Sequence, residues 1–178
     1  MTDSAQPKIR FATAWLDGCS GCHMSFLDID EKLIEIAEKI EVVYSPIVDI
    51  KVFPENVDVT LVEGAISTAE DLEIIKLIRE RTNLLVALGD CAVTGNVPAL
   101  RNPFGTDKVM QQVYQSKAKI PHEVVPMLLR NVRPIHHVVK VDVYVPGCPP
   151  SAKTIAYVLD ELLAGRKPEL GERTRFGA

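Results

Sequence analysis

The 178-residue sequence lacks the features that would assign several common functions. Lysine and arginine number 20 against 24 aspartates and glutamates, so no basic excess marks a nucleic-acid-binding protein. No Gly-x-Gly-x-x-Gly or P-loop string predicts a nucleotide-binding loop. No segment reaches the roughly 18 to 20 apolar residues that a membrane-spanning helix needs. What remains is an ordinary globular composition, with 47% hydrophobic and 25% charged residues.

The N-terminal segment MTDSAQPKIRFATAW lacks both the basic-then-apolar plan of a signal peptide and a twin-arginine address. We therefore expect the protein in the cytoplasm, where thiols are kept reduced. Cysteine is also scarce, with four residues in the whole sequence. A structural disulfide is not expected in that compartment, so the chemistry of free thiols becomes the central question.

Strand-like segments alternate with helical patterns along the chain. Five strands are predicted, over residues 8–15, 41–48, 57–62, 84–88 and 136–145. Pro46 indicates that the second strand lies near an edge or ends early. The continuous apolar run over 84–88 is typical of a central parallel strand that is covered on both faces.

Three amphipathic helices are predicted beside these strands. The first begins at Ser25 and carries apolar residues at helical spacing, namely Phe26, Ile29, Leu33, Ile36 and Ile40. A capping box over Ser67-Thr-Ala-Glu70 predicts a second helix that runs to about Arg81. The third helix stops at Gly165, after a stripe formed by Ile155, Val158, Leu159, Leu162 and Leu163.

Alternating strands and helices predict an α/β fold with a flavodoxin-like, doubly wound, mainly parallel sheet. We expect a single domain over residues 1–178, with loose ends at 1–7 and 166–178. Residues 92–135 are rich in proline and predict a long irregular insertion before the last strand, with short helices around 108–114 and 123–130. Long insertions of this kind tend to be functional or to bind partners.

Each of the four cysteines follows the carboxyl end of a predicted strand. Cys19 and Cys22 follow the first strand, Cys91 follows the fourth and Cys148 follows the fifth. Loops at this edge of an open α/β sheet converge and bind ligands. The four thiols can therefore meet at one point, although they are far apart in sequence.

Four thiolates suit either zinc or an iron-sulfur cluster. Structural zinc sites usually use two short-spaced pairs, whereas here one pair is joined by two distant single cysteines, which favours a 4Fe-4S cluster. A Cys-x-x-Cys pair between a strand and a helix also suits a thioredoxin-like dithiol, with Cys91 and Cys148 as buried core thiols. The spacing favours the cluster and leaves the dithiol and zinc as alternatives.

Four linked motifs resemble the small subunit of nickel-iron hydrogenases, in a likeness that spans roughly residues 10–165. They are, in chain order, Cys19-Ser-Gly-Cys22, Val62-Glu-Gly-Ala-Ile66, Gly89-Asp-Cys-Ala92 and Val145-Pro-Gly-Cys-Pro-Pro150. The homologous subunit of respiratory complex I shares the Pro-Gly-Cys-Pro-Pro element, but its first pair is two adjacent cysteines. Ser20 and Gly21 separate the pair here, as they do in the hydrogenases.

The resemblance implies that Cys19, Cys22, Cys91 and Cys148 bind one proximal 4Fe-4S cluster. That cluster would exchange electrons with a nickel-iron centre in a separate large subunit, so no catalytic residue is expected in this chain. We expect neither a leader nor a C-terminal extension with further clusters. In this respect the chain resembles the small subunit of the soluble bidirectional NAD(P)-linked hydrogenases, which has neither. Their other partners are diaphorase subunits that carry iron-sulfur clusters, FMN and NAD. A membrane-bound energy-converting hydrogenase and a complex I-type cluster subunit are the alternatives.

Flavodoxins cradle the phosphate of FMN in the loop that WLDGCSGCH occupies here, which is an analogy of fold alone. Because two expected cluster ligands take up this loop, we expect FMN in a partner subunit rather than in this chain.

Three further residues are expected beside the cluster or at the subunit interface, namely Glu63, His23 and Asp90. Their plainer alternatives are, in the same order, an exposed strand-end carboxylate, a helix-start residue and a helix N-cap. His136 and His137 are expected to lie on opposite faces of the last strand and to be structural.

Overall fold

The computed structural model describes residues 7–115, 120, 121 and 123–174. Its centre is a parallel five-stranded sheet with the strand order β2-β1-β3-β5-β7. The five strands are β1 (Ile9–Trp15), β2 (Ile40–Tyr44), β3 (Val57–Glu63), β5 (Thr82–Leu88) and β7 (Val143–Val145). This order is the flavodoxin-like one and confirms the predicted fold class. The early end of β2, at the sheet edge, also agrees with the signal from Pro46.

Seven α-helices surround this sheet in the described part of the chain. They are α1 (Gly21–Leu27), α2 (Lys32–Lys39), α3 (Ala69–Arg81), α4 (Gly89–Thr94), α5 (Asn96–Ala99), α6 (Thr106–Tyr114) and α7 (Ala152–Leu163). Short 3-10 turns cover Ile135–His137 and Gly171–Arg173. None of the described helices combines the length and apolar character needed to cross a membrane.

The sheet is buried on both faces, which explains the continuous apolar strands in the sequence. Leu85 and Ala87 of β5 pack with α3 on one face, and Val86 and Leu88 pack with α7 on the other. Cys22 belongs to the second of these hydrophobic clusters. Full burial of an aliphatic side chain contributes about 1.5–3 kcal/mol, so this two-sided core holds the strand ends in fixed positions.

The single helix predicted from Ser25 is wrong, because the chain forms two helices there. Residues 28–31 separate α1 from α2, with Asp30 in the left-handed region at φ 55°. Ile29 and Ile36 still pack in the same buried cluster, so the apolar spacing is continuous across the break. Ile40, the last residue of the predicted stripe, begins β2 instead.

The capping box lies one residue later than predicted. Thr68 caps α3: its Oγ1 accepts from the Asp71 backbone N–H at 3.0 Å, and its own N–H donates to Asp71 Oδ2 at 2.8 Å. Ser67 lies instead in β4 (Ile66–Thr68). The predicted end of this helix at Arg81 is confirmed.

Within the insertion, α6 confirms the predicted helix near 108–114, but the helix predicted over 123–130 is wrong. The chain forms β6 (Leu128–Arg133) there, which pairs antiparallel with β4. Pro126 disfavours a helix at this position because it has no N–H to donate and restricts the residue before it.

The last strand begins later than predicted, because residues 135–137 form a 3-10 turn and β7 starts at Val143. The rings of His136 and His137 meet edge to face with their centroids 4.6 Å apart, so they do not lie on opposite faces of a strand. The chain turns into β7 at Asp142, whose N–H donates to the Leu85 carbonyl at 2.9 Å.

The described C-terminal residues contact the domain. Thr154 Oγ1 donates to the Arg173 carbonyl at 2.8 Å, and the Arg173 guanidinium lies 4.1 Å from the centroid of the Tyr157 ring. Thr174 donates from its hydroxyl to the Pro146 carbonyl, in the loop that carries Cys148. Of the loose ends expected at 1–7 and 166–178, residues 1–6 and 175–178 lie outside the described residues. The looseness of the termini and the single-domain organisation stay predictions.

Candidate metal centre

The carboxyl ends of four strands lie level with one another and set the position of the site. Trp15 of β1 is paired in register with Glu63 of β3, Glu63 with Leu88 of β5, and Leu88 with Val145 of β7. The cysteines follow shortly after three of these ends: Cys19 and Cys22 after β1, Cys91 after β5 and Cys148 after β7. The parallel sheet therefore carries all four thiols to the same edge.

The thiols are close enough to influence one another electrostatically. Burial raises the pKa of Cys22 strongly, and the negative charges of Glu63, Cys91, Cys19 and Cys148 raise it further. Burial and then Cys148 and Cys19 raise the pKa of Cys91 to about 11, whereas a hydrogen bond from Asn96 lowers it. Deprotonating these neighbouring thiols together therefore requires a compensating positive charge, which bound iron can supply.

Whether the four thiols fit a metal site depends on whether the site holds a single ion or a larger cluster. In the described ranges no group of three or more His, Cys, Asp or Glu side chains is placed to hold a metal ion. A 4Fe-4S cube takes each thiolate on a separate iron, so its four ligands need not converge on one point. The donor set of four soft thiols from three loops fits such a cube.

Glycine allows the loop after β5 to approach the first cysteine pair. Gly89 has φ +82°, and a Cβ added there would lie 2.2 Å from Cys22 Sγ. Such close approach of a backbone to a sulfur requires a residue without a side chain. Gly21 makes a milder contact, with its N–H 3.4 Å from Cys19 Sγ. Gly89 therefore leaves room for the Cys22 thiol, and Gly21 turns its backbone N–H toward Cys19.

Glu63 is buried, with 2% of its surface exposed, so the alternative of an exposed carboxylate is wrong. Its Oε1 accepts from the Cys22 backbone N–H at 3.4 Å, and its Oε2 accepts from the His23 N–H at 2.9 Å. Oε2 also lies 2.5 Å from His23 Nδ1. His23 is a helix-start residue as well as the partner of Glu63. Its Nε2 is buried and has no hydrogen-bond partner among the described residues.

Asp90 joins the loop of Cys91 to the loop of Cys148. Its N–H donates to the Gly147 carbonyl at 2.9 Å, and its Oδ1 accepts from the Gly147 N–H at 2.7 Å. Leu88 is the N-cap of α4, so the N-cap alternative for Asp90 is wrong. Asp90 is 5% exposed, and burial of a carboxylate is tolerated only where it is hydrogen-bonded in this way.

The loop of Cys148 is also tied to the first helix. The hydroxyl of Ser25 in α1 donates to the Pro150 carbonyl at 2.6 Å. Hydrogen bonds of Glu63, Asp90 and Ser25 thus connect the three cysteine loops to one another and to β3.

Asn96 also belongs to the site, although none of the sequence motifs includes it. Its Nδ2 lies 3.4 Å from Cys148 Sγ, and its side chain lowers the pKa of Cys91. The signal in the sequence is an asparagine shortly after Cys91, in Thr94-Gly-Asn96. Its contact with Cys148 depends on the turn at Gly95, where φ is +88°, and on the sheet pairing of β5 with β7.

Comparisons with known proteins show which sequences and structures this chain is similar to. Residues 19–162 match the family described as NADH ubiquinone oxidoreductase, 20 Kd subunit. The chain is 43% identical to a subunit of the F420-non-reducing hydrogenase vhu of Methanocaldococcus jannaschii, over 91% of its own length and 58% of that relative. It is 41% identical to the delta subunit of the NAD-reducing hydrogenase HoxS of Cupriavidus necator, covering 92% of this chain and 82% of the relative.

A solved structure of an NAD+-reducing [NiFe]-hydrogenase in the H2-reduced state contains a chain that superposes on this one with a TM-score of 0.91. The two chains are 41% identical, and the match covers 96% of this chain and 99% of the other. In contrast, the chain spans little more than half of the Methanocaldococcus relative. The chain belongs to the family of the 20 kDa subunit of NADH ubiquinone oxidoreductase, and the relatives it resembles within that family are hydrogenase subunits.

Proposed function

We propose that this chain is the electron-transferring small subunit of a cytoplasmic, NAD-linked nickel-iron hydrogenase. In this proposal Cys19, Cys22, Cys91 and Cys148 hold one 4Fe-4S cluster, and the hydrogen-splitting site lies in a large subunit. The observation that carries it is the placement of four thiols from three linked loops at one sheet edge, in a chain with relatives named as hydrogenase subunits. A bound cluster would supply reversible one-electron transfer between the large subunit and diaphorase subunits.

The residues around the thiols would hold the group rigidly. Glu63 fixes the backbone of Cys22 and His23, and Asp90 fixes the loop of Cys148 through Gly147. Their hydrogen bonds lie inside the protein rather than in water, so they constrain the loops more than surface contacts would. Electron transfer benefits because a rigid site changes little when its charge changes.

The surface around the site supports docking of the large subunit at this edge. Cys19 and Cys148 are exposed in the isolated chain. Large apolar side chains are also exposed on neighbouring elements, including Trp15, Met24 and Leu27. Exposed apolar side chains on the elements that flank the first cysteine pair support a protein-protein contact there.

The cluster is tested by purifying the chain without oxygen, together with its native partners. We expect iron and acid-labile sulfide in the wild type, and loss of this chain's iron-sulfur signal in Cys91→Ser and in Cys148→Ser. Asn56→Gly, in the loop before β3, serves as a control that should keep the signal. Zinc without acid-labile sulfide would contradict the cluster, and unchanged thiol-disulfide activity in both cysteine variants would favour the dithiol.

The partner subunits are tested by the composition of the native complex. Co-purification of a nickel-containing chain with flavin- and NAD-reactive chains is the expected result. Several membrane-spanning partners would indicate an energy-converting hydrogenase instead, and a complex without nickel would indicate a complex I-type assembly.

A further inference from the structure

Asn96 is held in place by the helix that carries Cys91. It is the first residue of α5 and has φ +35°, directly after Gly95. Its backbone N–H donates to Thr94 Oγ1 at 3.3 Å, and this hydroxyl donates to the Asp90 carbonyl at 2.8 Å. The backbone of Asn96 is therefore held next to the turn of α4 that contains Asp90 and Cys91.

The Asn96 amide reaches from the segment after Cys91 to a cysteine of another loop. Its Nδ2 lies 3.4 Å from Cys148 Sγ. An amide N–H is a donor, so it can hydrogen-bond to this sulfur. Asn96 is a neutral donor, which distinguishes it from the carboxylates Glu63 and Asp90 of the same site.

We propose that Asn96 raises the reduction potential of the cluster by donating its side-chain amide to the sulfur of Cys148. The inference rests on the proposed function, because it needs a cluster on these cysteines. Reduction adds negative charge that is shared by the ligand sulfurs. A donor aimed at one of them stabilises the reduced state more than the oxidised state, which shifts the potential upward. Asn96 is thus a positioning and tuning residue rather than a ligand.

Asparagine also suits a positive φ, so its backbone role must be separated from its amide. Asn56 provides the comparison. It has φ +58° and lies at the amino edge of the sheet, where its carbonyl accepts from Arg10 Nε at 3.1 Å. Replacement by glycine satisfies the backbone at both positions, but it removes a donor to sulfur only at position 96.

The experiment compares Asn96→Gly, Asn96→Asp and Asn56→Gly with the wild type. Each full chain is purified anoxically with its native partners, and iron and acid-labile sulfide are measured first. The EPR signal that disappears in Cys91→Ser identifies this chain's cluster, and its intensity is then followed against the applied potential.

We expect Asn96→Gly to lower the ratio of reduced to oxidised cluster about tenfold at the wild-type midpoint. For a one-electron couple this is a shift of about 59 mV. Asn96→Asp should lower the potential further, because it replaces the donor with a carboxylate, and Asn56→Gly should leave it unchanged.

A wild-type potential in Asn96→Gly, with full iron and sulfide, would overturn the inference. Loss of iron from both Asn96 variants while Asn56→Gly keeps it would make Asn96 a structural support and would also overturn the tuning role. Absence of acid-labile sulfide from the wild type is a different result, since it would refute the proposed function itself.

Discussion

The two edges of the sheet differ in how deeply their charged side chains are buried. At the carboxyl edge Glu63 and Asp90 are almost completely buried, and each connects backbone from a different loop. At the amino edge the charged groups are more exposed: the carboxylate of Glu55, 71% exposed, lies 3.7 Å from Arg81.

This difference shows where the backbone is most tightly constrained, namely at the carboxyl edge of the sheet. A buried carboxylate costs several kcal/mol unless it is hydrogen-bonded, so an edge that contains two of them must keep their partners in place. An exposed ion pair contributes about 0–1 kcal/mol and can be lost at little cost. We therefore expect substitutions at the carboxyl edge to affect both stability and the thiols, and those elsewhere to affect stability alone.

The largest break in this pattern is expected from Gly89→Ala. The new Cβ would lie 2.2 Å from Cys22 Sγ at a residue with φ +82°. We expect a cost of about 1–2 kcal/mol from the backbone and a further 1–3 kcal/mol from overpacking, together with loss of bound iron. Unfolding in urea and iron content per chain measure the two effects.

Gly105→Ala is the matched control for Gly89→Ala. Gly105 has a similar φ of +78°, but nothing lies within 4 Å of its added Cβ. We expect only the backbone cost and normal iron content. Equal losses in both variants would show that backbone strain, and not the contact with Cys22, dominates at Gly89.

The next largest effect is expected from Glu63→Ala, which leaves the N–H groups of Cys22 and His23 and the His23 ring without their acceptor. The expected loss is about 3 kcal/mol, since buried donors are left unsatisfied. Glu55→Ala at the amino edge should cost about 0.5 kcal/mol or less. Denaturation midpoints of the two variants measure this difference in stability. Similar midpoints for both would contradict the expected difference between the two edges.

Asp90→Ala is expected to come third. It leaves the Gly147 N–H unpaired and should cost about 1–3 kcal/mol. Asp90→Asn keeps an oxygen acceptor and should restore most of the loss. The same experiment at the amino edge is Asp58→Ala, which removes the acceptor of the Arg10 N–H at 2.9 Å. Both alanine variants should lose stability, but only Asp90→Ala should lose iron, so normal iron content in that variant would argue against its role.

Much of the fold could be predicted because burial determines the pattern of these strands. The apolar run over 84–88 and the stripe in α7 depend on local sequence and on a core that covers both faces. The failed predictions depend on pairing over long distances. β6 forms because β4 lies beside it, and the late start of β7 follows from contacts of Asp142 with Leu85 and Arg79. Neither the pairing of β6 with β4 nor the contacts of Asp142 can be inferred from the hydrophobic periodicity of a short segment.

The site divides in the same way. Cysteine positions after strand ends predicted the convergence of the thiols, because parallel strands place their carboxyl ends together. The burial of Glu63 and the contact of Asn96 with Cys148 could not be predicted, since both depend on which loops meet across the sheet. The shift of the α3 cap from Ser67 to Thr68 has a local cause, because Asp71 bonds the Thr68 N–H.

The smallest effect, apart from that of the Glu55→Ala control, is expected from acid titration of Asp142, at the amino end of β7. Burial raises the pKa of this carboxyl, but the hydrogen bond from Leu85 and the hydrogen bond and charge of Arg79 lower it more, so the net pKa lies below its ordinary value of 3.8. A lowered pKa means that the stabilisation is present above about pH 4 and is lost as the pH falls through the folded value.

Asp142→Asn should therefore be less stable than the wild type at neutral pH, by roughly 1 kcal/mol, and the difference should shrink below pH 4. Urea unfolding across this pH range measures it, and a difference that grows in acid would have the wrong sign. Because Asp142 lies at the opposite end of β7 from the Cys148 loop, the variant should keep its iron at neutral pH. Loss of iron from Asp142→Asn at neutral pH would mean that the two edges are coupled through the short strand β7. Substitutions at the two edges would then differ only in how much iron they release.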